Sequence, residues 1–108
     1  MKAFWISIPV AALMIISAGQ ALANESLAQK SGCLGCHSVD KKVVGPAFND
    51  VAAKYRGDAN ARDALVEKVK KGGKGNWTDV TGGVSMPPYS PRVSDADIEL
   101  LVDWVLGL

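Results

Sequence analysis

The chain has 108 residues, with 12 Lys and Arg, 11 Asp and Glu and one His, giving a formal net charge of +1 at pH 7. That length accommodates one domain. The near balance of charge, without a basic run interleaved with aromatics, speaks against a nucleic-acid partner. Two cysteines and one histidine also fall short of the four ligands that a structural zinc site takes.

Residues 1–23 read as a cleaved secretory signal peptide. Lys2 is a short positive start, an apolar stretch follows from Ala3 to about Ala18, and Ala21-Leu22-Ala23 is an Ala-x-Ala cleavage site. The stretch is about fifteen residues long, short of the ~20 that a spanning helix needs, and Pro9 interrupts it. Cleavage after Ala23 takes 23 of the 108 residues and leaves a domain of 85, Asn24 to Leu108, located in the periplasm. With Lys2 gone, 11 of the 12 basic residues remain against 11 acidic ones. So small a core gains much from a bound centrepiece.

Asn24 to about Lys30 reads as a short helix, with Asn24 as its cap and Glu25 in the favourable first turn. It runs into Cys33-Leu34-Gly35-Cys36-His37, the most specific feature of the chain. A Cys-x-x-Cys-His run is a c-type haem attachment site. The two thiols form thioethers to the haem, and the adjoining histidine serves as an axial iron ligand. A redox-active dithiol of the thioredoxin kind needs a βαβ pattern around it, and no alternating or β-branched apolar run precedes Cys33.

Val43 to Phe48 reads as loop, since Pro46 disfavours helix at Gly45. Phe48, Val51, Ala52 and Tyr55 then recur at helical spacing up to Gly57. Asp63 to Lys71 forms a further helix, with Leu65, Val66 and Val69 on one side, a basic last turn and Gly72 as the stop. Gly72-Gly73-Lys74-Gly75 reads as flexible. Lys41-Lys42 and the cluster of Lys68, Lys70, Lys71 and Lys74 read as solvated surface. Asn76 to Arg92 lacks helical periodicity and holds Gly82-Gly83, Pro87, Pro88 and Pro91. A loop this long in a small domain is usually functional. Ser94 caps the last helix, whose apolar stripe is Ile98, Leu101, Val102, Val105 and Leu106, with Trp104 beside it.

The second axial position of a His-ligated iron takes Met, His or Lys, or stays open for a small molecule. His37 is the only histidine. Of three methionines, Met1 and Met14 lie in the leader, so Met86 is the one that the mature chain keeps. Met86 stands in Ser85-Met86-Pro87-Pro88, where proline stiffens the loop around a ligand. The expected metal ligands are therefore His37 and Met86. A six-coordinate haem has no open site for substrate, which points to a one-electron shuttle and not an enzyme. The alternative is a haem domain whose sixth position is labile or open, acting in catalysis or gas sensing.

From about Asn24 to Leu108 the chain resembles class I cytochromes c, in particular the small bacterial monohaem c-551/c-552 group. The residues that carry the resemblance are Cys33-Leu34-Gly35-Cys36-His37, Val44-Gly45-Pro46-Ala47, Val51-Ala52-Ala53-Lys54-Tyr55, Gly75-Asn76-Trp77, Met86-Pro87-Pro88 and Val93-Ser94-Asp95-Ala96-Asp97. The resemblance implies an all-α fold of about four short helices wrapped around one covalently bound haem c, with the first and last helices packed together. It implies that the Pro46 carbonyl accepts a hydrogen bond from the axial histidine's other ring nitrogen, which tunes the ligand. It also implies that Trp77 and Lys68 serve a haem propionate. The segment between Trp77 and Met86 is longer than in that group, through Thr78-Asp79-Val80-Thr81-Gly82-Gly83. The implied role is a soluble, monomeric periplasmic electron carrier. Its partners would be periplasmic or membrane-bound redox proteins, with a cytochrome as donor and an oxidase or reductase as acceptor.

Overall fold

A computed structural model describes residues 22–108. The expected leader therefore lies outside the described residues, apart from Leu22 and Ala23, which are helical. Among the described residues the regular structure is helical throughout. Helix α1 covers residues 22–30. A 3-10 turn follows over Cys33–Gly35, then α2 over Phe48–Lys54, α3 over Ala61–Lys71, α4 over Thr78–Thr81 and α5 over Asp95–Leu106. This is the all-α architecture expected, with one helix more than the four anticipated. The addition is α4, inside the stretch read as loop. Asn24 sits within α1 and does not cap it, because Leu22 and Ala23 extend the helix ahead of it.

The helix ends show why these segments stop and start where they do. At the start of α2 no side chain caps the helix. Instead Phe48 N–H and Asn49 N–H donate to the carbonyls of Ser38 and Val39, both at 2.9 Å. Those bonds satisfy orphan donors and dock the helix on the segment after His37. Ahead of α3, Asn60 N–H donates to the Asp58 carboxylate at 2.9 Å, a local turn of the kind Asp favours. The helix thus begins at Ala61, two residues earlier than its apolar pattern suggests. Lys68, Lys70 and Lys71 occupy its last turn, where positive charge is favourable. Ser94 caps α5 as its sequence indicates, its hydroxyl accepting from Asp97 N–H at 3.2 Å.

Helix α5 is the shared wall of two apolar clusters. Ile98 and Val102 pack with Val66, Tyr89 and Val93, against which Met86 also lies. Leu101 and Trp104 pack with Ala28 and Phe48, alongside Leu27, Cys33 and Leu34. The first and last helices therefore meet through Ala28, which is fully buried. Trp104 belongs to this second cluster and is 9% exposed. It is core as well as a neighbour of the stripe, sharing its cluster with Leu101, because α5 buries two adjacent faces. On the surface, Arg62 joins α3 to α5 through Asp103 at 3.0 Å. Lys70 bridges Glu67 at 3.8 Å and Asp95 at 3.6 Å.

Candidate functional site

Cys33, Cys36, His37, Pro46, Lys68, Trp77 and Met86 all border one cleft. Its remaining walls are largely apolar, among them Val51, Leu65, Val69, Leu101 and Val105. Residues read from distant parts of the sequence are thus brought to one place.

The attachment motif is wound into a turn. Gly32, at φ +86°, lets the chain leave α1 sharply, and the amides of Cys36 and His37 donate to the Cys33 carbonyl at 3.3 and 3.0 Å. The two cysteines are not joined to each other, and both are half-buried. Burial pushes the Cys33 thiol up from its ordinary range, opposed by a backbone hydrogen bond and by the positive charge of Arg92.

The loop after His37 folds straight back. Val44 N–H and Gly45 N–H both donate to the Cys36 carbonyl, at 3.1 and 2.7 Å, and His37 pairs with Lys42 in an isolated antiparallel bridge. This return brings the Pro46 carbonyl to within 2.7 Å of His37 Nδ1. A carbonyl only accepts, so Nδ1 carries the ring proton and Nε2 keeps its lone pair for a metal. Gly45 is required by this closeness. A Cβ there would sit 2.9 Å from both ring nitrogens of His37. The imidazole also lies stacked on Phe48.

Met86 is held at the cleft by main-chain bonds. Gly73 N–H donates to the Met86 carbonyl and Met86 N–H to the Gly73 carbonyl, each at 2.9 Å. Tyr89 N–H adds a bond to the Val69 carbonyl at 3.1 Å. The segment Gly72 to Gly75, expected to be flexible, is therefore tied at Gly73. Its partner lies far along the chain, which is why glycine content alone misled. Trp77 is half-buried and meets Tyr55 edge to face, with centroids 6.5 Å apart at 74°. Lys54 Nζ sits 4.3 Å over the Trp77 ring and donates to the Asn76 carbonyl at 3.0 Å. Lys68 turns to the cleft and, among the described residues, forms no ion pair, unlike Lys70 and Lys71. The lysine cluster of α3 thus divides between the cleft and ordinary surface pairing. Sequence reading gave Gly45 and Lys54 only as part of the motifs that carry the resemblance, with no role of their own, and did not single out Tyr89.

The cleft fits a c-type haem. It offers two thiols for covalent attachment, an imidazole whose Nδ1 is committed and whose Nε2 is free, a thioether, and apolar walls for a flat macrocycle. Among the described residues no cluster of His, Cys, Asp and Glu suits a bare metal ion, and no helix is long and apolar enough to cross a membrane.

Comparison with known proteins agrees with that chemistry. A family described as Cytochrome c matches residues 16–108. Cytochrome c-551 of Allochromatium vinosum is 60% identical over 84% of this chain and 92% of its own. Cytochrome c-552 of Nitrosomonas europaea is 44% identical over 100% of this chain and 99% of its own. The crystal structure of that wild-type protein superposes with a TM-score of 0.69 at 46% identity, covering 78% of this chain and 98% of the other. The chain therefore belongs to the cytochrome c family, as an electron-carrying class I member of the small bacterial c-551/c-552 type that holds one covalently bound c haem through Cys33 and Cys36.

Proposed function

We propose that this cytochrome is a soluble, monomeric one-electron shuttle of the periplasm, not an enzyme, exported by residues 1–23 and working as residues 24–108. His37 and Met86 would hold the haem iron. The observation that carries the reading is the His37 Nδ1 bond to the Pro46 carbonyl at 2.7 Å, which frees Nε2 in the same cleft that Met86 borders. Bound there, the haem supplies a one-electron Fe(III)/Fe(II) couple.

The chain's own residues supply the rest. Pro46 fixes the imidazole's tautomer and raises its donor strength. Phe48 and Gly45 confine the ring. The Gly73 bridge holds the Met86 backbone, so that the ligand set is the same before and after electron transfer. Lys68, turned into the cleft without a carboxylate, and Trp77 on the same border meet the propionates. Apolar walls exclude water, and His/Met ligation favours a high reduction potential. Partner contacts are brief and small, as for redox proteins in general, with a cytochrome donor and an oxidase or reductase acceptor.

The test is the absorption spectrum of the holoprotein and of Met86→Ala, with and without carbon monoxide. The wild type should show sharp reduced bands, a weak far-red sulfur-to-iron band when oxidised, and no response to carbon monoxide. Met86→Ala should lose the far-red band, bind carbon monoxide and fall in potential. A wild type that binds carbon monoxide, or an unchanged variant, would overturn the reading in favour of an open sixth position.

A further inference from the structure

The end of α3 carries a contact that haem chemistry alone does not demand. Gly72 follows Lys71 with φ 74° and ψ −168°, a region that is essentially closed to residues with a Cβ. A Cβ at Gly72 would lie 2.8 Å from Pro88 N and 2.9 Å from the Pro87 carbonyl carbon, and would collide with the Met86 carbonyl oxygen. The main chain of Met86-Pro87-Pro88 thus lies directly on this glycine. One residue on, Gly73 exchanges two 2.9 Å hydrogen bonds with Met86. Pro87 and Pro88 have no N–H to donate, so the stretch around Met86 is secured chiefly from the α3 side. The next main-chain bonds after the prolines again go to α3, from Tyr89 to Val69 and from Ser90 to Lys70.

We propose that Gly72 is a positioning residue for Met86: by leaving no side chain at the end of α3, it lets the methionine loop seat against that helix and register with Gly73, which sets where the thioether is presented. The proposal rests on Met86 being the axial ligand. Gly72 touches neither haem nor iron in this role. It acts through the backbone of the residue that does, and α3 becomes the reference against which the ligand is placed.

Other glycines provide the comparison. Gly82 also has a positive φ, +69°, yet a Cβ there would meet nothing within 4 Å. Gly73, at φ +120°, would bring a Cβ against only the mobile end of Lys68. Replacement at Gly82, in the left-handed region with ψ 18°, therefore reports a milder backbone cost alone, whereas replacement at Gly72 meets both the closed backbone region and the collision with the methionine loop.

The experiment uses holoprotein carrying Gly72→Ala, Gly73→Ala, Gly82→Ala or Met86→Ala. Three quantities are read well below each variant's thermal midpoint: the far-red sulfur-to-iron band, the reduction potential and carbon monoxide binding by the reduced form. The expected result is that Gly72→Ala loses the band, falls in potential toward Met86→Ala and gains carbon monoxide binding, while Gly82→Ala keeps the wild-type values. Gly73→Ala should fall between them. If Gly72→Ala only lowers the midpoint and keeps band and potential, the residue is merely structural and the proposal is overturned. If Gly72→Ala does not yield folded holoprotein, Gly73→Ala decides alone, and a wild-type band and potential there also overturns it. If Met86→Ala itself leaves the band intact, the ligand assignment has failed, which is a different result from failure at Gly72.

Discussion

The rings of His37 and Phe48 lie stacked, with centroids 4.9 Å apart and planes 21° from parallel. Phe48 in turn meets Trp104 edge to face, at 5.7 Å and 75°. The imidazole is thus joined to α5 through two aromatic contacts, and its orientation depends on the core as well as on Pro46. Replacing Phe48 with Ala should cost about 3–5 kcal/mol, as for other large-to-small core changes. Denaturant unfolding of the holoprotein measures this. A cost well under ~1 kcal/mol would show that the stack is not structural.

Gly45 offers a sharper probe of the same ring. In Gly45→Ala the new methyl must displace the imidazole or the Pro46 turn, since it falls 2.9 Å from Nδ1 and Nε2. The expected outcome is a loss of about 1–3 kcal/mol, typical of overpacking, together with a shifted potential. Voltammetry and unfolding on one sample separate the two effects. An unaltered potential would mean that the ring is not confined from this side.

Lys54 spans the end of α2 and the segment before α4, over the Trp77 ring and bonded to the Asn76 carbonyl. Both contacts are exposed, so Lys54→Gln should lose only about 0.5–1 kcal/mol. The loss should persist in high salt better than that of an ion pair, since no carboxylate is involved. Unfolding at low and high ionic strength checks this. A deficit that vanishes in salt would point to a charge partner instead.

Tyr89 sets an alkaline limit. Burial is the first cause that pushes its phenol up from the ordinary value, with the charges of Cys33 and Cys36 adding and Arg92 opposing. Thioether formation removes the cysteine charges and leaves burial. A raised value means that the fold holds the neutral phenol, so its contribution is complete below the unfolded value of about 10 and is lost as pH rises through the folded one. The wild type should therefore lose stability above about pH 10 more steeply than Tyr89→Phe. Thermal midpoints across that range test it, and parallel curves would exclude Tyr89 as the cause.

What could be read from residue order alone was local. Cys33 to His37 is contiguous, and its chemistry follows from spacing. Ser94 bonds Asp97 within one turn, and Val66 and Ile98 fall where helical periodicity puts them. Met86 was named by elimination, since the other two methionines fall within residues 1–23. Helix α4 was missed because four residues make barely one turn and show no period. Gly73 was misread because its partner Met86 is remote in sequence, and glycine signals freedom until something is bonded to it. Trp104 stands beside the stripe as read, but one apolar stripe does not reveal that the helix packs against two clusters. The miss at Gly73 is a tertiary contact overriding a local preference.

The burial of Ala28 against Leu101 and Trp104 also bears on how the chain reaches its fold. These residues come from nearly opposite ends of the described sequence, so their contact closes a long loop and is entropically demanding to form. A topology weighted toward such contacts slows the search for the native state. The two helices act as a clasp: trimming α1 should remove Ala28 from that cluster and trimming α5 should remove Leu101 and Trp104, either way leaving the intervening chain without its closure.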